Sequence, residues 1–288
     1  MEKQPKGHNL TIAVNDVTLS YNDVGEGKVP ILFLHGFPFD KSMWDLQLEH
    51  LKSLCRAIAV DLSGFGKSTR HEHGMSIDTS GNDIILFMDK LGIDKAIVCG
   101  LSMGGFIALN AHKKFKDRFA ALILCDTNCI ADTAEAKEKR FKAIGEIKAG
   151  GLTEFNEGFI KRVFSKDSFQ NKKEVVEQLR SIVFQNTQDI IIQGLAALAE
   201  RAETCSSLGE VRIPTLVICG KEDEVTPLAQ SEFIHKNIAA STLRVIDHAG
   251  HVSNLEQPHE FNKHVLDFLI AQQIVQVKEL GGNKRDEN

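Results

Sequence analysis

A serine that is flanked by glycines and lies between two apolar runs constrains the fold of this chain more than any other feature. Residues 97–101 are typical of a buried strand, and the apolar residues that follow the serine are typical of a helix. Ser102 occupies the turn between them, in a G-x-S-x-G pattern that runs from Gly100 to Gly104. Strand and helix approach so closely in such a turn that glycine is a steric requirement. The pattern predicts a strained turn that presents the Ser102 hydroxyl above a sheet.

The chain around this turn alternates apolar strands with amphipathic helices. Strands are predicted at 29–34, 56–62, 95–101 and 120–125, after a hairpin whose strands, 10–14 and 17–23, are joined by Asn15 and Asp16. Such alternation is typical of a doubly wound α/β fold with parallel strands. Ligands bind such sheets at the carboxyl ends of the strands, and His35, Ser102 and Asp126 all fall at such ends.

The strand signal stops between residues 127 and 208. Helical patterns replace it at about 134–149, 152–164, 173–184 and 189–202, and strands return at 213–219 and 242–246. We therefore predict an α/β core formed by residues 1–126 and 209–288, with a helical cap, residues 127–208, inserted over the strand ends. Residues 281–288 are predicted to be a frayed polar tail.

Composition narrows the classes of partner. The chain has 288 residues with a net charge of −5, so no basic surface argues for nucleic acid. No segment approaches the roughly 20 apolar residues that span a bilayer, and the polar start lacks the apolar region of a signal peptide. We expect a cytoplasmic enzyme that acts on a small molecule, with no nucleic-acid or membrane partner; a homodimer stays open.

The cysteines are predicted to be reduced structural thiols. Several fall inside predicted buried strands, where cysteine behaves as a small apolar residue, and no two form a C-x-x-C pair. The six positions are Cys55, Cys99, Cys125, Cys129, Cys205 and Cys219.

A serine hydroxyl needs a base within hydrogen-bond reach and a third group that orients this base. After Ser102, the chain offers Asp223 at the end of the strand that follows the cap, and His251 in the loop after the last strand. The order Ser, Asp, His is the one that strand-to-helix elbows of this kind use. We predict that Ser102 is the nucleophile, His251 the general base and Asp223 the acid.

Other residues compete for these roles. Asp126 could be the acid instead, and Glu222 and Glu224 flank Asp223, but the strand followed by G-x-x-D favours Asp223. His248 is a weaker rival of His251, because it directly follows a strand and suits a structural hydrogen bond.

Two further patterns resemble binding sites without meeting their requirements. His71, Glu72 and His73 resemble a metal cluster, but they lie in a polar loop without matching ligands, so we expect them to be exposed and predict no metal. Residues 66–68 could end a phosphate-binding loop, but its required first glycine is Asp61. We predict no cofactor.

Two backbone N–H groups are predicted to form an oxyanion hole, because an oxyanion that forms on attack needs preorganised donors. They belong to Met103, directly after the nucleophile, and to Phe37, in the loop after the strand that ends at His35. We expect Val225 and Val252 to line an apolar substrate pocket beside this site.

With these residues in place, the chain resembles the α/β-hydrolase fold family from about residue 10 to 273. The matching segments are H-G-F-P at 35–38, D-L-S-G-F-G-K-S at 61–68, G-L-S-M-G-G at 100–105, G-x-x-D at 220–223 and G-H at 250–251. The resemblance implies a mostly parallel eight-stranded sheet, a cap after the sixth strand, a triad of Ser102, His251 and Asp223, and no cofactor.

Within this family, two segments are similar to different members. The S-M-G-G turn looks like that of small bacterial carboxylesterases, whereas H-V-S-N-L-E-Q-P at 251–258 looks like 3-oxoadipate enol-lactonases. We therefore predict a serine carboxylesterase that uses an acyl-enzyme. The alternatives are an enol-lactonase-like lactone hydrolase and a small-molecule receptor with slow turnover.

Overall fold

The apolar runs of the sequence form one eight-stranded sheet in residues 6–275, the part of the chain that the structure, a computed structural model, describes. The predicted tail at 281–288 lies outside these described residues. The strands are β1 (Gly7–Val14), β2 (Val17–Val24), β3 (Ile31–Leu34), β4 (Ala57–Val60), β5 (Ala96–Leu101), β6 (Phe119–Cys125), β7 (Thr215–Gly220) and β8 (Ser241–Ile246).

The order of the strands in the sheet is β1-β2-β4-β3-β5-β6-β7-β8. Strand β2 pairs antiparallel with both β1 and β4, and all other pairs are parallel. Residues Asn15 and Asp16 connect β1 to β2, and Asn15 has the positive φ of 53° that a tight hairpin requires. The predicted mostly parallel, eight-stranded sheet is therefore confirmed.

Helices cover the sheet, and this explains why its central strands are apolar throughout. Every residue of β3, β4, β5 and β7 is buried, as expected for parallel strands that are covered on both faces. The helices are α1 (Asp45–Leu51), α2 (Ile77–Lys90), α3 (Met103–Lys114), α4 (Ala134–Lys148), α5 (Leu152–Val163), α6 (Lys166–Asn171), α7 (Lys173–Gln185), α8 (Gln188–Ala199), α9 (Leu228–Asn237), α10 (Ser253–Glu256) and α11 (Pro258–Ala271).

Helices α4 to α8, which we call the inserted helices, occupy the chain between β6 and β7. Four of them match the predicted helical patterns. Helix α6 was not predicted, because six residues are too few to show a helical period. The division of the chain into a core and a cap domain stays a prediction. No helix among residues 6–275 is both long and apolar enough to cross a bilayer.

The prediction that all six cysteines are reduced is wrong for one pair. Cys129 and Cys205, 76 residues apart, form a disulfide, whereas the other four cysteines are free and buried. The chain leaves the sheet before the inserted helices and returns beside the same point, where the Thr204 N–H donates to the Cys129 carbonyl oxygen at 2.8 Å. Cysteine spacing alone does not show such a return.

The expected exposure of the 71–73 loop is wrong for His71. Its imidazole is buried, with Nδ1 2.6 Å from a carboxylate oxygen of Asp16 and Nε2 2.6 Å from one of Asp83. It thereby joins the β1–β2 hairpin to α2. Glu72 and His73 are exposed, as predicted.

Candidate active site

Ser102 lies at the junction of β5 and α3, in the backbone conformation that the sequence predicts. Its φ of 53° and ψ of −113° lie in a region that non-glycine residues rarely adopt. A Cβ atom at Gly100 would overlap the backbone of Gly104, and one at Gly104 would overlap the carbonyl group of Leu34. Both glycines are therefore steric requirements. They allow the close approach of strand and helix that makes the Ser102 side chain point out of the turn.

The structure brings Ser102, His251 and Asp223 into one hydrogen-bonded chain. Ser102 Oγ lies 2.8 Å from His251 Nε2, and His251 Nδ1 lies 2.8 Å from Asp223 Oδ2. All three side chains are buried, with Ser102 8% exposed. Because carboxylate oxygens accept, Nδ1 carries the proton and Nε2 is free to accept the serine hydroxyl. This arrangement can transfer a proton from Oγ to the imidazole.

Asp223 is held as a carboxylate by several donors. The N–H groups of Val225 and Thr226 each donate to Oδ1 at 2.8 Å, and the Thr226 hydroxyl donates to Oδ2 at 2.7 Å. Burial favours the neutral acid, but His251 and the Thr226 donors outweigh it, so the pKa of Asp223 is lowered. Thr226 was not singled out from the sequence, although an aspartate that accepts the N–H two residues further on is a recognisable turn pattern.

The imidazole of His251 is surrounded by acids. Burial alone would lower the pKa of His251, but the Asp223 carboxylate, with a smaller contribution from Glu256, raises it above its ordinary value. The neutral imidazole that can accept a proton therefore predominates only at higher pH than for a free histidine.

Asp126, the rival acid, forms its hydrogen bonds with residues other than His251. It follows β6 with a positive φ of 44°, accepts the Gly220 N–H at 2.7 Å through Oδ1, and accepts the Ser253 hydroxyl at 2.6 Å through Oδ2. Burial and the nearby Asp223 carboxylate raise the pKa of Asp126 to about 8. Glu222 and Glu224, the other rivals of Asp223, are exposed, and so is His248, the rival of His251, whose carbonyl oxygen accepts a hydrogen bond from Gln257.

One buried group of side chains has residue types that bind metals, but it lacks the charged ligands that a metal ion needs. Ligand atoms of Asp126, Cys219 and Asp223 lie within 4.8 Å of one another. Burial raises the pKa of the Cys219 thiol, as it does that of Asp126, so neither presents a charged ligand at neutral pH. Asp223 is already engaged with His251, and the set does not suit a cation.

The N–H groups of Phe37 and Met103, which are predicted to bind an oxyanion, donate no hydrogen bond to any of the described residues. Met103 is the first residue of α3, where a helix leaves N–H groups free. The loop of Phe37 is fixed by His35, whose Nδ1–H donates to the Gly36 carbonyl at 2.9 Å and whose Nε2 accepts the Leu62 N–H at 3.0 Å. Burial lowers the pKa of His35 and keeps it neutral for this role.

A cavity of about 360 Å³ lies between the inserted helices and the loops that carry Phe37 and Asp223. Val225 lines it, whereas Val252, the other predicted pocket residue, is fully buried and is not part of this lining. The ring of Phe37 meets Phe159 of α5 edge to face inside it. The full lining is Phe37, Ala136, Lys139, Arg140, Ala143, Phe155, Phe159, Arg162, Leu195, Glu224 and Val225.

A mostly parallel sheet with a serine on an elbow after β5, and with an acid and a histidine after later strands, defines a class of α/β proteins built around a nucleophile. A sequence profile described as the alpha/beta hydrolase fold matches residues 29–258. This match covers most of the sequence, and the chain belongs to the α/β-hydrolase fold family.

Comparisons within this family point to two groups of relatives. The chain is 32% identical over 253 residues to 3-oxoadipate enol-lactonase 2 of Acinetobacter baylyi, covering 88% of this chain and 93% of the relative. A thermophilic esterase from Thermogutta terrifontis superposes with a TM-score of 0.87 at 32% identity, covering 91% of this chain and 98% of the esterase. The enol-lactonase from Burkholderia xenovorans LB400 superposes with a TM-score of 0.84 at 26% identity, covering 91% and 100% of the two chains.

Proposed function

We propose that this protein is a serine hydrolase that cleaves a small carboxylic ester through an acyl-enzyme on Ser102. One observation carries the proposal: Ser102 Oγ lies 2.8 Å from His251 Nε2, whose other ring nitrogen is 2.8 Å from Asp223. The imidazole can therefore accept a proton on the side of the serine while the carboxylate stabilises the imidazolium that forms. Similarity to the Thermogutta esterase supports an ester as the substrate.

In the first half of the reaction, Ser102 Oγ attacks the ester carbonyl carbon and its hydroxyl proton moves to His251 Nε2. The negative charge that develops on the carbonyl oxygen is stabilised by the free N–H groups of Phe37 and Met103. When the tetrahedral intermediate collapses, the ester carbon–oxygen bond breaks and the imidazolium returns the proton to the departing alkoxide. The alcohol leaves and the acyl group stays on Ser102.

In the second half, water takes the place of the alcohol. His251 accepts a proton from the water as its oxygen attacks the acyl carbon, and the same two N–H groups again stabilise the oxyanion. Collapse breaks the bond to Ser102 Oγ, the imidazolium reprotonates the serine, and the carboxylic acid leaves. These residues complete the reaction without a cofactor.

The inserted helices act in this proposal as a cap over the site. Phe155, Phe159 and Leu195 on these helices form the apolar part of the cavity that Phe37 and Val225 close from below. A cytoplasmic location stays a prediction, and the Cys129–Cys205 disulfide is of a kind that is rare in reducing compartments. A homodimer also stays a prediction.

A lactone is the second candidate substrate, because similarity to the 3-oxoadipate enol-lactonases covers 88% of the chain. The same steps apply, but the departing oxygen remains attached to the acyl group and the acyl-enzyme keeps both halves of the substrate. A receptor with slow turnover is the third reading of the site, and it predicts saturable binding with negligible release of product.

Steady-state hydrolysis of p-nitrophenyl esters from acetate to decanoate, beside five- and six-membered lactones, tests the proposal. We expect short esters to be turned over, and Ser102→Ala to lower kcat by about 10⁴-fold or more, because the nucleophile is lost while the oxyanion donors remain. Ser53→Ala is the matched control, since Ser53 is exposed and forms no hydrogen bond within the described residues.

The outcomes separate the three candidates. Faster turnover of lactones than of every ester would favour the lactonase, and binding without turnover would favour the receptor. Full activity of Ser102→Ala would contradict both hydrolases.

A further inference from the structure

The loop that carries His251, residues 247–252 between β8 and α10, is attached directly to the inserted helices. The backbone N–H of His251 donates to the carbonyl oxygen of Val163, the last residue of α5, at 2.8 Å. Its neighbour Gly250 packs so closely on the same segment that a Cβ atom there would lie 2.8 Å from the Val163 oxygen and from the Ser165 nitrogen. The backbone of His251 therefore follows the position of the chain between α5 and α6.

One buried carboxylate bridges these two segments. Glu256, at the end of α10, is 1% exposed, and its Oε1 accepts the N–H of Gly250 at 2.6 Å. Its Oε2 accepts the N–H of Ser165 at 2.8 Å and the hydroxyl of Ser168 at 2.6 Å. The Lys172 ammonium donates to the main-chain oxygen of Glu256. The two carboxylate oxygens thus hold opposite sides of one junction.

We propose that Glu256 is a positioning residue whose carboxylate clamps the His251 loop to the inserted helices and so keeps the imidazole aligned between Ser102 and Asp223. The proposal rests on the proposed function, in which His251 is the general base. The residue that Oε1 holds, Gly250, directly precedes His251, so a shift of this loop moves the imidazole with it. Misplacement of a catalytic group by about 1 Å is enough to cost a large part of its effect.

A carboxylate suits this junction better than any neutral side chain of its size. Gly250 and Ser165 present backbone N–H groups to different oxygens, and a carboxylate accepts at both. A glutamine has one acceptor oxygen, so its NH₂ group must face one of the two N–H groups and release that side. Glu256→Gln therefore keeps the shape of the side chain while it opens one half of the clamp.

Glu256 also contributes charge to the site. The carboxylates that raise the pKa of His251 are those of Asp223 after β7 and Glu256 on α10, and Asp126 after β6 adds to them only where it has lost its proton. Removal of one negative charge lowers the pKa of the imidazole. In Glu256→Gln, the acid limb of the rate of Ser102 modification plotted against pH should therefore move to lower pH. The position of this limb reports the charge of Glu256, whereas the rate on the plateau above it reports how well the imidazole is aligned.

The rate at which a fluorophosphonate modifies Ser102 tests the proposal without knowledge of the natural substrate. In this reaction Ser102 Oγ forms a bond to phosphorus, fluoride leaves and the hydroxyl proton passes to His251. For Glu256→Gln we expect the second-order rate constant to fall by about 10-fold to 100-fold, with its acid limb displaced to lower pH. Glu256→Asp keeps the charge but is one methylene shorter, so we expect slower modification with little displacement of the limb.

Ile84→Val in α2, a helix that packs on α3 and β1, is the control for general loss of stability. An unchanged rate and pH profile in Glu256→Gln, or a slowing no greater than in Ile84→Val, would overturn the positioning role. Absence of modification in the unaltered protein would instead contradict the proposed function. Should Glu256→Gln not fold, Glu256→Asp tests the clamp, because its shorter side chain cannot reach the N–H groups of Gly250 and Ser165 at once. An unchanged rate in Glu256→Asp would equally refute the clamp.

Discussion

Two buried carboxylates, Asp223 and Asp126, follow the neighbouring strands β7 and β6, yet among the described residues only Asp223 forms a hydrogen bond with His251. Asp223 receives the two N–H groups and the hydroxyl of the 225–226 turn in addition to the imidazole, and its pKa is lowered. Asp126 receives the Gly220 N–H and the Ser253 hydroxyl, and its pKa is raised to about 8. Burial acts on both in the same direction, so the local donors decide which acid keeps its charge.

The two acids also influence each other. Two carboxylates in one buried site do not both ionise readily, and the Asp223 charge is one cause of the raised pKa of Asp126. The proton on Asp126 therefore helps Asp223 to remain charged beside His251. Asp126 also holds residues at the edges of both neighbouring loops, namely Gly220, the last residue of β7, and Ser253, the first residue of α10.

The largest effect expected from this comparison is that of Asp223→Asn. An amide cannot stabilise the imidazolium and favours the wrong tautomer of His251, so kcat should fall by about 10³-fold to 10⁴-fold. Steady-state ester hydrolysis measures this. Glu222→Gln, one residue away and exposed, is the control and should keep full activity. If Asp223→Asn retained a tenth of the activity, Asp126 or another acid would have to serve His251.

A smaller effect is expected when a single donor to Asp223 is removed. Thr226→Val keeps the shape of the side chain but deletes the hydroxyl that donates to Oδ2 at 2.7 Å, while both N–H donors remain. A hydrogen bond to a charged group contributes roughly 1.5–3 kcal/mol, so kcat/KM should fall by about 10-fold to 100-fold. Thr242→Val on exposed β8 is the matched control. Equal rates for both variants would show that the donors do not control the acid.

Much of this fold could be predicted because its signals are local. The runs that became β3, β5 and β6 are apolar throughout since both faces of the sheet are covered, and the glycines around Ser102 are required by a turn of five residues. Chain order then indicated Asp223 and His251, which the structure brings to within a hydrogen bond of each other. The strands and the turn needed only a few neighbouring residues, whereas the triad also needed the order of its members along the chain.

The features that sequence reasoning missed depend on contacts between distant residues. Glu256 meets Ser165 across 91 positions, Asp126 meets Gly220 across 94, and Cys129 meets Cys205 across 76. His71 was expected to be exposed because its neighbours are polar, but its two acidic partners lie on the hairpin and on α2. No local pattern shows where the chain returns, so burial and pairing at these positions became visible only in the fold.

The smallest effect on catalysis is expected for Asp126→Asn. This variant gives the sharpest test of whether Asp126 and Asp223 have different roles. An asparagine can accept the Gly220 N–H through its oxygen, and its NH₂ group can donate to the Ser253 hydroxyl oxygen, which reverses the direction of the bond that Asp126 accepts there. Ester hydrolysis at pH 7 should therefore stay within about threefold, the size of a fraction of one hydrogen bond. A fall as large as that of Asp223→Asn would mean that the two carboxylates share one role.

The stability of Asp126→Asn should depend on pH in a way that its activity does not. With its pKa raised from 3.8 to about 8, Asp126 holds a proton in the folded protein that the unfolded chain has released, so its contribution to stability falls as pH rises between these values. Asparagine has no such loss. The slope is at most about 1.4 kcal/mol per pH unit, or about 2–4 °C in Tm for a chain of this size. Thermal unfolding from pH 5 to pH 8 should therefore show Tm of the variant rising relative to that of the unaltered protein, whereas a constant difference would mean that Asp126 is already ionised in the fold.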